Sequence, residues 1–138
     1  MSFFQGCDLF NEITERSYEV FSESEAKTIF AQLVDAIEHC HQNEVMHMDI
    51  KLENVIYDKE TKKVTLIDFG LSQLMHDGSD VLTKRVGTYN YAAPELLKSK
   101  TVPYSGTKVD SWALGIVLFA LLTSRFPFTE QVSVLAEL

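Results

Sequence analysis

The sequence predicts one mainly α-helical domain with a short β-hairpin, and three observations predict it. Ala26, Ile29, Phe30, Leu33, Val34 and Ile37 recur at helical spacing, an amphipathic helix of about five turns. The run from Trp112 to Leu122 is nearly all apolar, as suits a helix buried on every side. Val55-Ile56-Tyr57 and Val64-Thr65-Leu66-Ile67 are β-prone runs separated by the polar turn Asp58-Lys59-Glu60-Thr61. A chain of 138 residues, 46% apolar and 11% aromatic, supports one core rather than two.

In chain order, Gly6-Cys7-Asp8-Leu9-Phe10 opens a short helix with Leu9, Phe10 and Ile13 on one side. Ser22 and Glu25 form a capping box at the start of the long helix, the serine accepting an orphan N–H and the glutamate reaching back. That helix ends near Gln42-Asn43, and Val45 begins a loop. After the hairpin, Gly70 to Gly87 shows no sustained periodicity and is rich in polar residues, so a long functional loop is expected. The apolar helix runs from near Lys108 to about Thr123, stopped by Phe126-Pro127-Phe128, and the last ten residues are expected to start another.

Net charge is −8, and only Arg16, Arg85 and Arg125 among twelve basic residues are arginine. That balance disfavours nucleic acid or an anionic membrane as partner and mildly favours basic peptides, although acidity also simply aids solubility. Cys7 and Cys40 are too few and too far apart for a disulfide framework or zinc site, and read as free thiols. No signal peptide precedes the first helix, and the apolar run to Leu122 falls short of the ~20 residues a bilayer needs. An intracellular location, cytoplasm or nucleus, is expected.

The chemistry concentrates in His47-Met48-Asp49-Ile50-Lys51-Leu52-Glu53-Asn54, followed by Asp68-Phe69-Gly70 and Ala93-Pro94-Glu95. An aspartate, a lysine, an asparagine and a second aspartate are the groups needed to accept a hydroxyl proton and hold a metal–nucleotide complex. Singly, each is more often a turn or cap residue. Jointly, three motifs in this order resemble the catalytic loop, metal-binding loop and activation-segment end of eukaryotic serine/threonine protein kinases.

The resemblance implies ATP and magnesium as cofactors and protein substrates. It implies Asp49 as catalytic base, Lys51 as the cation beside the transferring phosphoryl, and Asn54 and Asp68 as magnesium ligands. Met1-Ser2-Phe3-Phe4-Gln5-Gly6 is similar to the hinge bordering the adenine, which puts Phe4 among the nucleotide contacts with Asp8, Glu53, Ile56 and Asp68. Thr88 matches the threonine bonded to the catalytic aspartate and lysine. Glu95 matches a glutamate that pairs with a late arginine. Asp110-Ser111-Trp112-Ala113-Leu114-Gly115 resembles the start of the central helix, whose aspartate holds the catalytic loop. The Gly-Cys-Asp-Leu-Phe and Gly-Thr-Tyr-Asn-Tyr-Ala-Ala-Pro-Glu patterns look most like the calcium/calmodulin-dependent group.

Glu53 and Asp8 imply a preference for basic residues upstream of the phosphosite, or else are two solvated acids. His39, Cys40 and His41 alternate on a helix and cannot converge on one ion. His47 is expected to pack beneath Phe69, and His76 carries no signal.

Met48 stands where the family usually has an arginine that grips a phosphate on the activation loop. Residues 1–138 are therefore expected to be a partial kinase domain: hinge, C-terminal lobe helices, catalytic loop, activation segment and central helix. No Gly-rich loop or Val-Ala-Ile-Lys-type strand is present, so weak ATP binding by this chain alone is expected, with the missing lobe or a partner protein needed. The apolar side of Trp112 to Leu122 is expected to be uncovered. An active kinase and a truncated, pseudokinase-like binding or regulatory module both remain open at this point.

Overall fold

A computed structural model describes residues 6–17, 19–98 and 102–128. The hinge reading of residues 1–5, Phe4 included, and the expected last helix lie outside these residues. The first strand, β1 (Cys7–Asp8), leads into α1 (Leu9–Glu15). The long helix α2 (Glu23–Gln42) follows, then β2 (Val45–Met46) and a single 3₁₀ turn at Leu52–Asn54. The hairpin is β3 (Val55–Asp58) and β4 (Lys63–Leu66). Two short strands, β5 (Gln73–Leu74) and β6 (Val81–Leu82), come next, with a second 3₁₀ turn at Tyr89–Tyr91. The chain continues through α3 (Pro94–Leu97), β7 (Tyr104–Ser105) and α4 (Gly106–Thr123).

The Ser22 hydroxyl accepts the Glu25 N–H at 3.2 Å and starts α2. Acidic Glu23 and Glu25 in its first turn and His39 and His41 in its last suit the helix dipole. The apolar stripe buries Ala26, Ile29, Leu33 and Ile37, while Val34 lies at the exposed edge. In α1 the expected face is only half right. Leu9 and Ile13 are buried, but Phe10 is exposed and Glu12 takes the inward position. Glu12 is tolerated there because Arg16 (2.7 Å) and Lys59 (2.8 Å) neutralise it.

In the sheet β1-β3-β4, Val55 pairs with Leu66 and Tyr57 with Val64 and Cys7. Ile67 leaves the ladder, giving its N–H to the Asn54 carbonyl at 2.9 Å. Gln32 ties α2 to the hairpin: its side-chain amide donates to the Lys62 carbonyl and accepts the Val64 N–H.

The stretch 70–87 is not a free loop. β5 pairs with β2 and β6 with β7, so the segment is fastened at two places. Two-residue pairings leave no periodicity to read, because their partners are distant in sequence.

Helix α4 starts at Gly106, earlier than the sequence indicates, because the Ser105 hydroxyl caps it by accepting the Lys108 N–H. It closes on Ser124 in a left-handed conformation. At 18 residues it is long and apolar enough to cross a membrane, contrary to the estimate from its apolar run, but half of it is buried in this fold. Ile116, Val117, Ala120 and Leu121 pack into the main core with Leu9, Ile29, Leu33, Val55 and Tyr57. The uncovered face expected between Trp112 and Leu122 shrinks to Gly115, Phe119 and Leu122, because α2 covers most of the helix and Trp112 stacks on Phe128. A second cluster of Met46, Met48, Ala93, Leu96, Tyr104 and Val109 lies beside the first, and Trp112 packs against both.

Candidate active site

The site is assembled on the loop between β2 and β3, and the central helix holds that loop. Asp110, 1% exposed, accepts the backbone N–H of His47 at 2.9 Å and of Met48 at 2.8 Å, and contacts His41 Nε2 at 2.8 Å. Met48 is buried with φ +68°, a strained conformation for a long side chain that this carboxylate and the apolar cluster maintain. His47 packs edge-on against Phe69 with ring centroids 4.8 Å apart.

Asp49 is 6% exposed, and its carboxylate is the hub. Oδ1 accepts the Thr88 hydroxyl at 2.7 Å, and Oδ2 lies 3.0 Å from Lys51 Nζ and 3.2 Å from Asn54 Nδ2. Lys51 also donates to Thr88 Oγ1 at 3.1 Å. Asn54 places a second bond on the Asp49 carbonyl at 2.8 Å. Asp49, Lys51, Asn54 and Thr88 thus form one network spanning two loops. Gly87 permits the approach: it has φ +119°, and a Cβ there would meet the Met48 carbonyl at 3.2 Å.

Asp68 is exposed, with φ +62°, and one carboxylate oxygen accepts the Gly70 N–H at 3.1 Å. The Ile67 N–H on the Asn54 carbonyl ties the residue before Asp68 to the end of the 47–54 loop. Asn54 spends its amide protons on Asp49, leaving its carbonyl oxygen without a described donor. That oxygen and the exposed Asp68 carboxylate are hard donors of the type magnesium takes.

The remaining sequence-selected residues sit around this hub. Asp8 caps α1, taking the Asn11 N–H at 2.9 Å and the Asn11 amide at 2.6 Å. Ile56 is half-buried in β3, opposite Asp8 and Thr65. Glu53 is exposed and accepts the Tyr91 hydroxyl at 3.2 Å. Glu95 is half-buried, and no ion pair joins it to another described residue.

Tyr91 was not singled out from sequence. It is buried, accepts the Leu52 N–H at 3.2 Å and meets Phe126 edge-on, so it braces the 47–54 loop. Burial pushes its hydroxyl well above the ordinary tyrosine range, keeping it a donor to Glu53. Its one signal in the sequence is its place in the Gly-Thr-Tyr-Asn-Tyr-Ala-Ala-Pro-Glu pattern, three residues after Thr88.

A sequence profile described as protein kinase domain matches residues 1–137. The chain is 42% identical over 131 residues to a carbon catabolite-derepressing protein kinase of Secale cereale, covering 95% of this chain and 25% of that protein. It is 43% identical over 124 residues to serine/threonine protein kinase OSK3 of Oryza sativa subsp. indica, covering 90% of this chain and 23% of that one. A carbon catabolite-derepressing protein kinase of Saccharomyces cerevisiae is 40% identical over 128 residues, 93% of this chain and 19% of the relative. The chain thus spans a quarter or less of these relatives' length. With its Asp49 network and a profile match over nearly every residue, the chain belongs to the protein kinase family, among serine/threonine kinases.

Proposed function

We propose that this chain carries part of the catalytic site of a kinase that transfers the γ-phosphoryl group of ATP to serine or threonine hydroxyls of proteins. The single observation that carries this reading is the buried Asp49 carboxylate, held by Thr88, Lys51 and Asn54. Asp49 orients the substrate hydroxyl and takes its proton as the oxygen–phosphorus bond forms and the bond to the ADP oxygen breaks. Lys51 offers its cation to the transferring phosphoryl. Asn54 and Asp68 would hold magnesium, which supplies charge neutralisation on the phosphates when bound. Ile56 and the stretch containing Phe4 border the adenine in this reading.

The chain corresponds to hinge, catalytic loop, activation segment and central helix of a C-terminal lobe, within the calcium/calmodulin-dependent group by its motifs. Glu53, exposed and oriented by Tyr91, favours substrates with a basic residue upstream of the phosphosite. Asp8 is committed to its helix cap and contributes charge only. Free thiols at Cys7 and Cys40 suit the cytoplasm or nucleus.

The test is phosphate transfer by the full-length protein to serine- and threonine-containing peptides, with Asp49→Asn as the control. Magnesium-dependent transfer, reduced about 10²–10⁴-fold in the variant, supports the reading. No transfer by folded wild-type protein leaves a binding or regulatory module instead.

A further inference from the structure

With Met48 in place of a phosphate-gripping arginine, the activation segment needs another anchor, and the described residues contain one. The Asp80 carboxylate accepts the hydroxyls of both Ser105 and Thr107, and the Thr107 N–H at 3.4 Å. Its backbone carbonyl accepts the Gly106 N–H at 2.8 Å. The next two residues, Val81 and Leu82, pair with Ser105 and Tyr104. Asp80 is therefore fastened to the first turn of α4 by side chain and backbone together. The Ser105 and Thr107 hydroxyls hold its carboxyl below the usual carboxylate range, so it is anionic at neutral pH, facing the positive end of an 18-residue helix.

We propose that Asp80 is a positioning residue for phosphoryl transfer, a built-in anion that clamps the activation segment to α4 and holds its downstream stretch against Asp49 without a phosphate. This rests on the kinase reading above. The same helix carries Asp110, which fixes the backbone of the catalytic loop. One rigid element thus carries both anchors, Asp80 for the segment and Asp110 for the catalytic loop. From the clamp, Tyr104 donates its hydroxyl to the Lys84 carbonyl at 2.5 Å. A few residues further on, Val86, Gly87, Thr88 and Tyr91 border Met48 and Asp49 in a narrow crevice. Loosening Asp80 frees the stretch that ends in the Thr88–Asp49 bond. A plain helix cap is the simpler role, but α4 already has one in Ser105, whose hydroxyl accepts the Lys108 N–H.

The test uses the full-length protein after phosphatase treatment, with Asp80→Ala and the near-isosteric Thr107→Val. Amide hydrogen exchange is read over residues 76–88 and over α2, and KM is measured separately for peptide and ATP. The expected result is faster exchange in the segment with α2 unchanged, and a peptide KM raised about ten-fold for Asp80→Ala at unchanged ATP KM. Unchanged segment exchange and peptide KM would overturn the proposal. So would a lower kcat at unchanged KM with exchange in α2 faster as well, the mark of a smaller folded fraction. If Asp80→Ala does not fold, Thr107→Val carries both readouts. If the wild type transfers no phosphate, the kinase reading fails while the exchange arm still decides whether Asp80 clamps the segment.

Discussion

Thr88 donates to Asp49 at 2.7 Å across a separation of 39 residues, and Lys51 closes the triangle by reaching both of them. The carboxylate is nearly buried, so removing that hydroxyl leaves Oδ1 short of a donor. Thr88→Val is expected to lower kcat about 10–100-fold, the equivalent of one hydrogen bond to a charged group. Thr88→Ser, which keeps the hydroxyl, is expected to retain most activity. Steady-state kinetics on the full-length protein decides it; equal loss in both variants would show that the methyl group, not the bond, matters.

The carboxylate of Asp110 serves His41 and two consecutive backbone amides of the catalytic loop. Asp110→Ala would leave those two N–H groups without their acceptor and open a cavity in the core. A loss of about 3–5 kcal/mol is expected, read as a lower denaturant midpoint. Asp110→Asn keeps one acceptor oxygen and is expected to lose less.

Met48 lies in the second apolar cluster. Its side chain packs with Met46, Leu96 and Tyr104, where a phosphate-gripping arginine would need water or an anion. Replacing Ser72, Ser79 and Thr83 together by alanine is therefore expected to leave the full-length kinase active, within about three-fold of wild type, since Met48 stands where the phosphate-gripping arginine would. Loss of activity in the triple variant, restored by phosphomimetic replacement, would reverse this expectation.

The two long helices, the hairpin and the Asp49–Asn54 motif were readable because each is local. Periodicity, capping by Ser22 and loop chemistry all fall within a few residues of one another. What escaped depends on partners far along the chain. Residues 70–87 read as a loop because β5 and β6 are two residues long and pair with β2 and β7. Asp80 carries no local signal, because the hydroxyls that hold it lie 25 and 27 residues away on Ser105 and Thr107. Phe10 leaves its expected side and Glu12 lies inside because Lys59, at the tip of the distant hairpin, supplies the charge that lets Glu12 be buried.

That inward glutamate makes stability depend on pH. Burial alone would raise the Glu12 carboxyl, but hydrogen bonds from Lys59, Arg16 and Cys7 outweigh it and hold the group below the ordinary value of 4.5. The folded state therefore binds fewer protons than the unfolded chain below that pH. The stabilisation is complete above about pH 4.5 and is lost as pH falls through the folded value. Glu12→Gln is expected to cost about 1–3 kcal/mol at pH 7 and to flatten the acid side of the stability profile. Some slope remains, because Glu25 and Asp80 are also held low. The same cluster acts oppositely on Cys7, whose thiol is pushed up to about 11 by burial and by its bond to Glu12. Alkylation of Cys7 is then expected to be slow at pH 7 and to accelerate with pH up to about 11, with Glu12→Gln shifting that rise to lower pH. Denaturant midpoints from pH 7 to 3 and thiol-labelling rates from pH 7 to 11 test the two halves. A Glu12→Gln profile that matches wild type in both would mean that Arg16 and Lys59 pair with water rather than with this carboxylate.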